Sequence, residues 1–169
     1  MNVYTPFPLD SHYVACDSLP SITFPASKEV EVQFKLLSPN AKLPTQNKEG
    51  DAGWDVYSSE EAHLYVGCTR LINLDIASCF PPGWVALLWD RSGLAAKHSL
   101  LKLAGVIDSG YRNGWKVCLH NLGDSPYHIH VGDRIAQVLF QEVPKVKVVE
   151  VKELPTSERN LDGFGSSGK

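Results

Sequence analysis

Short stretches rich in β-branched and aromatic residues, each followed by a turn containing glycine or proline, alternate along most of this 169-residue chain. Thirteen glycines and eleven prolines are spread throughout and leave little room for long helices. Apolar and polar residues alternate in segments 30–36 and 72–76, which is typical of strands with one buried face. Further strands are predicted at 84–89, 117–122, 127–131, 135–140 and 143–151.

This spacing of strands and turns predicts an all-β sandwich or barrel. Antiparallel pairing is favoured, because parallel pairs need crossover helices and a helical pattern is confined to residues 93–98. Residues 1–29 carry four prolines and no periodicity, and residues 155–169 are rich in glycine and serine. We therefore predict an irregular N-terminal extension at 1–29, a β-domain at 30–154 and a C-terminal arm at 155–169.

Charge and cysteine usage exclude several classes of protein. Sixteen basic and nineteen acidic residues give a net charge of −3 without a basic stripe, so we expect no binding to nucleic acid. No apolar run reaches the roughly 18 residues that cross a bilayer, and the first eight residues do not resemble a signal peptide. The four cysteines form no CxxC pair. The expectation is a reduced intracellular protein, cytoplasmic or nuclear, with no membrane partner.

Segment 105–112, GVIDSGYR, carries the clearest chemical pattern, since an apolar strand delivers Asp108 into a tight turn and Tyr111 follows three residues later. One interpretation is an ordinary hairpin with a turn aspartate and a packing tyrosine. The other is a general base at the mouth of a hairpin, with an aromatic ring as the floor for a sugar or a base.

Three further segments leave alternatives open. Ser92 at the start of the short helix is either an N-cap or a phosphate contact, and the neighbouring Arg91 favours the second. Asp133 and Arg134 are compatible with a surface ion pair of little energetic value. His128 and His130 share one face of a strand, but no third residue suggests a metal site.

The tail matches GxGxxG at 163–168 and GxxxxGK at 163–169. Both motifs require a strand before and a helix after, which this sequence does not supply, so neither nucleotide-binding fold is predicted. Successive glycine and serine amides instead suit an anion-binding arm that closes over a ligand held elsewhere.

Taken in chain order, five segments resemble the five motifs of the trimeric dUTPase family. They are AGWD at 52–55, RSGLA at 91–95, GVIDSGYR at 105–112, GDRIAQ at 132–137 and RNLDGFGSSG at 159–168. The resemblance implies a jelly-roll subunit and a homotrimer with three interfacial active sites. Each site would take motifs one, two and four from one chain, motif three from a second and the arm from a third.

The resemblance also implies an enzyme, a dUTP diphosphatase. It would hydrolyse dUTP to dUMP and pyrophosphate by attack of water at the α-phosphorus, which limits uracil in DNA and supplies dUMP for thymidylate synthesis. Mg²⁺ would be the cofactor, held mainly by substrate phosphates and water rather than by protein ligands. Asp55 would be a candidate for the outer coordination sphere of the ion.

By the same resemblance, Asp108 is the catalytic residue that holds the attacking water, and Tyr111 packs against the deoxyribose. Phe164 stacks on uracil. The backbone of the hairpin reads the uracil edge, through Gly105, Val106 and Ile107. The remaining substrate contacts fall on phosphates, and they are Arg91, Ser92, Gly93, Gln137, Arg159, Gly165, Ser166 and Ser167.

Two rival functions make different demands on the sequence. A dCTP deaminase of the same fold should carry a glutamate on the strand after the hairpin, and segment 116–122 holds no carboxylate. A catalytically silent interaction module, with residues 1–29 binding a partner, would not need an intact Asp108, Tyr111 or Phe164. Leu103 replaces a glycine common in the family, and we expect it to crowd the uracil pocket.

Overall fold

The computed structural model describes residues 29–157, and there it contains eleven strands and one short helix. The elements are β1 (Gln33–Leu36), β2 (Trp54–Tyr57), β3 (Ala62–Leu64), β4 (Thr69–Asn73), β5 (Ile76–Cys79), β6 (Trp84–Trp89), α1 (Ser92–His98), β7 (Leu100–Leu103), β8 (Val106–Asp108), β9 (Lys116–Asn121), β10 (Tyr127–Ile129) and β11 (Arg134–Glu142).

All strand pairs are antiparallel and form four small sheets. The largest has the order β2-β11-β6-β8, the next β4-β9-β7, and the pairs β1-β5 and β10-β3 complete the set. The predicted all-β, jelly-roll-like subunit is confirmed, and residues 29–157 contain one short helix, in agreement with the prediction of at most one. The largest sheet matters most for function, because it brings together three of the five motif segments.

The core lies between the sheets and is built from the inward residues of nearly every strand. Its largest fully buried side chains are Trp115, Leu64, Ile72, Leu74, Ile76, Leu100, Leu119, Ile129, Ile135, Val56, Val117 and Val138. Trp115 meets Phe34 edge to face, with ring centroids 5.4 Å apart. Burying one such aliphatic or aromatic side chain is worth about 1.5–3 kcal/mol, so this core is the main source of stability.

Segment 72–76 is not the single strand that its alternation predicted. Ile72, Leu74 and Ile76 are all fully buried, but Asp75 has a φ of 50° and turns the chain from β4 into β5, which belongs to another sheet. Aspartate tolerates this left-handed conformation better than most residues. The alternation therefore predicted the burial of these side chains correctly, but its prediction of one continuous strand is wrong.

The strand predicted at 143–151 is also absent from the described chain, since β11 ends at Glu142. The segment is instead exposed: Val148 is 90% and Leu154 is 82% accessible. Val143 still donates its backbone N–H to the oxygen of Gly83 at 2.8 Å. The valine-rich segment 143–151 therefore has no strand partner within the described residues of this subunit.

Three cysteines of the described chain, Cys68, Cys79 and Cys118, are free thiols. No helix within residues 29–157 is long and apolar enough to cross a membrane. Nearly all of the predicted extension at 1–29 lies outside the described residues, as does most of the arm predicted at 155–169.

Candidate active site

Three of the motif segments meet in one polar cleft of about 540 Å³. The cleft is formed where β2, the start of α1 and β11 come together. Its lining residues are Asn47, Asp51, Ala52, Gly53, Asp55, Arg91, Ser92, Gly93, Arg134 and Gln137. The sequence therefore brings Arg91, Ser92, Gly93 and Gln137, all predicted phosphate contacts, to a single surface.

Asp55 on β2 is the electrostatic centre of this cleft. Its Oδ1 accepts a hydrogen bond from Nε of Arg91 at 2.8 Å, and its Oδ2 accepts one from Nη1 of Arg134 at 3.1 Å. The Asp55 side chain is only 14% exposed, so solvent screens its pair with Arg91 weakly, whereas the half-exposed Arg134 is screened more strongly. One carboxylate thus fixes two arginines. The interpretation of Asp133 and Arg134 as a surface ion pair is wrong, because Arg134 pairs with Asp55 and Asp133 lies 3.5 Å from His130.

Gln137 on β11 links the other two segments. Its Nε2 donates to the backbone oxygen of Asp90 at 2.8 Å, directly before Arg91. Its Oε1 lies against Gly53, where a Cβ would come within 2.3 Å of it. Glycine at position 53 is therefore needed for this orientation of the Gln137 carboxamide.

We expect Gly53→Ala to displace the Gln137 side chain and break its bond to Asp90. Losing one hydrogen bond costs about 1 kcal/mol, which corresponds to a fall in Tm of about 2–4 °C for a chain of this size. Thermal unfolding followed by circular dichroism measures the change. Gly93→Ala is the control, because a Cβ there meets nothing within 4 Å, and its Tm should not fall. Equal Tm values for the wild type and Gly53→Ala would contradict the packing argument.

Ser92 is the first residue of α1, and the N-cap position belongs to Arg91, which makes no side-chain cap bond. The interpretation of Ser92 as an N-cap is therefore wrong. Ser92 lines the polar cleft, and its contact with a phosphate stays a prediction.

The hairpin segment forms a second, separate cavity of about 340 Å³. Its lining residues are Leu71, Leu88, Gly105, Val106, Ile107, Asp108, Tyr111, Trp115 and Lys116. Asp108 ends β8, and the backbone N–H of Tyr111 closes the following turn onto its oxygen at 3.0 Å. Leu103 is not among the lining residues; it lies on β7 opposite Cys118.

Strand β8 is an edge strand, paired with β6 on one side only. The backbone N–H of Leu88 donates to the oxygen of Gly105 at 2.8 Å. Hydrogen-bonded pairs alternate along an antiparallel ladder, so the next residue, Val106, directs its N–H and C=O away from β6. These groups are available to a planar ligand in the cavity. Gly105 has a φ of 111° and approaches Leu88 closely, so it accommodates no side chain.

The predicted site residues therefore fall into two groups on one subunit. Motifs one, two and four line the polar cleft, whereas motif three lines the hairpin cavity. The predicted contacts of motif five, which are Arg159, Phe164, Gly165, Ser166 and Ser167, lie outside the described residues.

Neither group offers a preformed metal cage. No set of three histidine, cysteine, aspartate or glutamate side chains in residues 29–157 is arranged to hold a metal ion. His63 and His128 stack face to face across the β3–β10 pair, 4.2 Å apart, and His130 lies 4.2 Å from His128. Stacked rings present faces rather than nitrogens to each other, which does not favour ligation of a shared ion.

The ring of Tyr127 packs against His98, the last residue of α1, with centroids 4.7 Å apart. Burial raises the pKa of the Tyr127 phenol above its usual value, and the charge of Asp133 raises it further, while Arg91 lowers it. The phenol therefore stays neutral at physiological pH and is a packing group rather than an acid.

Sequence reasoning missed three residues with roles in this geometry: Asp90, Arg112 and Arg134. Arg134 belonged to a motif segment, but its partner on β2 is 79 positions away and no local pattern connects them. Asp90 accepts a hydrogen bond from the backbone of Lys102 and so joins the start of α1 to β7.

Comparison with known proteins gives one consistent family. The dUTPase family model matches residues 39–168. A deoxyuridine 5′-triphosphate nucleotidohydrolase of Clostridium acetobutylicum is 43% identical over 141 residues, which are 82% of this chain and 97% of that protein. The corresponding protein of Yarrowia lipolytica is 36% identical over 141 residues, covering 82% of this chain and 90% of that protein.

Solved structures agree with the sequence relatives. The dUTPase of Staphylococcus bacteriophage 80alpha, in a structure with dUpNHpp, has a TM-score of 0.78 and 32% identity, and the match covers 82% of this chain and 99% of that one. A variant dUTPase of phage phi11 of S. aureus has a TM-score of 0.70 and 28% identity over 75% of this chain and 99% of that one. That structure concerns the coordination of a structural Mg(II) ion.

Proposed function

The chain belongs to the dUTPase family and is a dUTP diphosphatase, and we propose that it works as a Mg²⁺-dependent homotrimer in which water, held by Asp108, attacks the α-phosphorus of dUTP. The products are dUMP and pyrophosphate. The reaction limits incorporation of uracil into DNA and supplies dUMP for thymidylate synthesis. Its place is inside the cell, in the cytoplasm or the nucleus.

The observation that carries this proposal is the separation of the two groups of site residues. A hydrolase needs its base, Asp108, next to the phosphates, yet Asp108 lines the hairpin cavity, whereas Arg91, Ser92 and Gln137 line the polar cleft. Neither group alone provides both a base and a phosphate site. Pairing the cavity of one subunit with the cleft of another supplies both.

Exposed apolar surface supports the trimer. On the outer face of β4-β9-β7, Leu71 and Leu103 flank Cys118 in one row, and both leucines are more than 40% exposed. Segment 143–154 adds further exposed valines, including Val146 and Val148. Burial of such surface is favourable at about 25 cal/mol per Å², and a second copy of the chain is the partner that the family supplies.

The edge of β8 explains selection of uracil. Uracil presents one N–H flanked by two carbonyls, and the outward backbone groups of Val106 offer an acceptor and a donor to that pattern. Cytosine presents an acceptor and an amino group instead, which leaves the Val106 backbone groups unpaired beneath the bound base. Such a mismatch is costly, so the hairpin discriminates strongly.

Sugar recognition falls to Tyr111. Its ring lines the same cavity as Asp108, and its hydroxyl donates weakly to the oxygen of Gly114 at 3.4 Å. A ring held across the hairpin occupies the space in which a ribose would place its 2′-hydroxyl. The same residue thereby favours deoxyribose and keeps the α-phosphate close to Asp108.

The charges of the cleft explain the need for further cations. Two arginines, Arg91 and Arg134, face two aspartates, Asp51 and Asp55, so the lining is formally neutral. A triphosphate therefore needs positive charge from Arg159 of the arm and from Mg²⁺. The cleft carboxylates fit an ion held mainly by the nucleotide and water, with Asp55 as an acceptor in the outer sphere. When bound, the ion neutralises phosphate oxygens and so stabilises the leaving pyrophosphate.

The dCTP deaminase alternative requires a glutamate on the strand after the hairpin, and this chain has none there. Strand β9, Lys116–Asn121, follows the hairpin and carries no carboxylate. A non-catalytic module remains the second candidate, and turnover separates it from the enzyme.

The test of the proposed function is release of pyrophosphate from dUTP, with dCTP, dTTP and UTP as alternative substrates in parallel reactions. We expect rapid release with dUTP and Mg²⁺, little with the other nucleotides, and strong loss after addition of EDTA. Native mass spectrometry of the same sample should give three times the 18.6 kDa subunit mass.

Each contrary result has a defined meaning. Ammonia released from dCTP would identify a deaminase, and absence of turnover in a trimer would identify a module. Full turnover in a monomer would disprove the site shared between subunits.

A further inference from the structure

Arg112 ties the turn after β8 to a different sheet. Its Nη1 donates to the backbone oxygens of Ser109 at 2.6 Å and Tyr111 at 3.1 Å, both in the turn that follows Asp108. The same nitrogen reaches the oxygen of Ser78 on β5 at 3.2 Å, and Nη2 lies 3.2 Å from Sγ of Cys79. One guanidinium thus joins the turn to β5.

The turn has few other anchors. β8 is an edge strand, and β5 pairs with β1 in a separate two-stranded sheet. The far end of the hairpin is fixed on β5 by Trp115, whose backbone N–H donates to Ile76 at 2.8 Å and whose Nε1 donates to Ser78 Oγ at 3.2 Å. Arg112 provides the corresponding attachment at the near end, next to Asp108.

Arg112 does not line the cavity that contains Asp108 and Tyr111. It lines a different depression, of about 510 Å³, together with Cys79, Ser109 and Gly110. The guanidinium therefore lies on the opposite side of the turn from the predicted nucleotide position. Any effect of Arg112 on the reaction has to pass through the turn.

We propose that Arg112 is a positioning residue, which holds the turn so that the Asp108 carboxylate stays aimed at the attacking water. Charge-assisted bonds from a planar guanidinium are stronger and more directional than those of an ammonium. This inference rests on the proposed function, because it assigns Asp108 the role of base. It goes further by naming what fixes that base.

The first experiment compares Arg112→Met and Arg112→Lys with the wild type. A misplacement of about 1 Å costs up to roughly 100-fold in rate, so we expect Arg112→Met to lower kcat by about 10- to 100-fold with KM for dUTP little changed. Lysine keeps the charge but not the fork, so Arg112→Lys should fall in between. Arg70→Met is the matched control, because Arg70 makes one long bond to the oxygen of His63 and lies outside both cavities.

A double-mutant cycle distinguishes positioning from general stability. If Arg112 acts through Asp108, then Arg112→Met should change kcat less than about threefold in an Asp108→Asn background. A merely structural role would lower kcat by the same factor in both backgrounds. Thermal unfolding and trimer mass of every variant show whether it has folded. If Arg112→Met does not fold, the double-mutant cycle is measured with Arg112→Lys instead.

The outcomes separate the two proposals. An active wild type with an unchanged kcat in Arg112→Met overturns the positioning role alone, as does a rise in KM with kcat unaltered. Equal losses in both backgrounds also overturn it. An inactive wild type overturns the proposed function and the positioning role with it.

Discussion

Replacing Asp108 by asparagine is expected to lower kcat for dUTP by at least about 100-fold while leaving nucleotide binding intact. The size follows from the usual contribution of a general base, which asparagine cannot replace. Asp108 is exposed at the end of β8, and within residues 29–157 it forms no ion pair, so the substitution should not weaken the fold. Steady-state kinetics and calorimetric binding of dUpNHpp measure the two effects separately.

Asp124→Asn is the matched control for this prediction. Asp124 is a carboxylate on an exposed turn that lies outside the cleft and the hairpin cavity. Its kcat should equal that of the wild type. A near-normal kcat in Asp108→Asn would remove Asp108 from the mechanism, and lost analogue binding would make it a binding residue instead.

Deletion of residues 158–169 is the second large effect. It removes Arg159, the amides of the glycine–serine run and Phe164, and we expect kcat to fall by roughly 100- to 1,000-fold, the scale for lost charge stabilisation. Stacking of a base on an aromatic ring is worth roughly 1–3 kcal/mol, so, if Phe164 stacks on uracil as proposed, Phe164→Ala should reproduce part of the loss. The buried core of the described chain ends at Val138, so trimer mass and Tm should remain nearly unchanged.

Leu161→Ala controls for a general effect of apolar residues in the arm. Leu161 has no predicted contact with the nucleotide, and its variant should keep most of the activity. Full turnover of the truncated enzyme would show that residues 158–169 take no part in catalysis.

Local sequence patterns predicted burial and strand type well because both follow from the alternation of side chains along a strand. They could not predict where a strand changes sheet. The break at Asp75 depends on one left-handed residue and on the backbone hydrogen bonds of Trp115 with Leu74 and Ile76, on either side of it. Those contacts join positions about forty residues apart, and no local pattern contains them.

In the candidate site, too, local patterns predicted some residues and could not predict others. Asp108, Ser92 and Gln137 lie in motif segments and could be named from the sequence, although their roles remain predictions. The partnership of Asp55 with Arg134 and the attachment of Arg112 to Ser78 are long-range contacts of side chains. A single sequence carries no signal for such pairs, so only the folded chain identifies them.

The valine-rich segment 143–154 has a consequence for the life of the newly made subunit. Before assembly into the proposed trimer, the chain exposes Val146, Val148 and Val149 at 62–90%, and such an apolar stretch promotes aggregation. Lys145 and Lys147 interrupt the valines and repel another copy of the same segment, as gatekeeper charges do. We therefore expect assembly and aggregation to compete during synthesis. The lysines should slow aggregation enough for assembly to be the faster process.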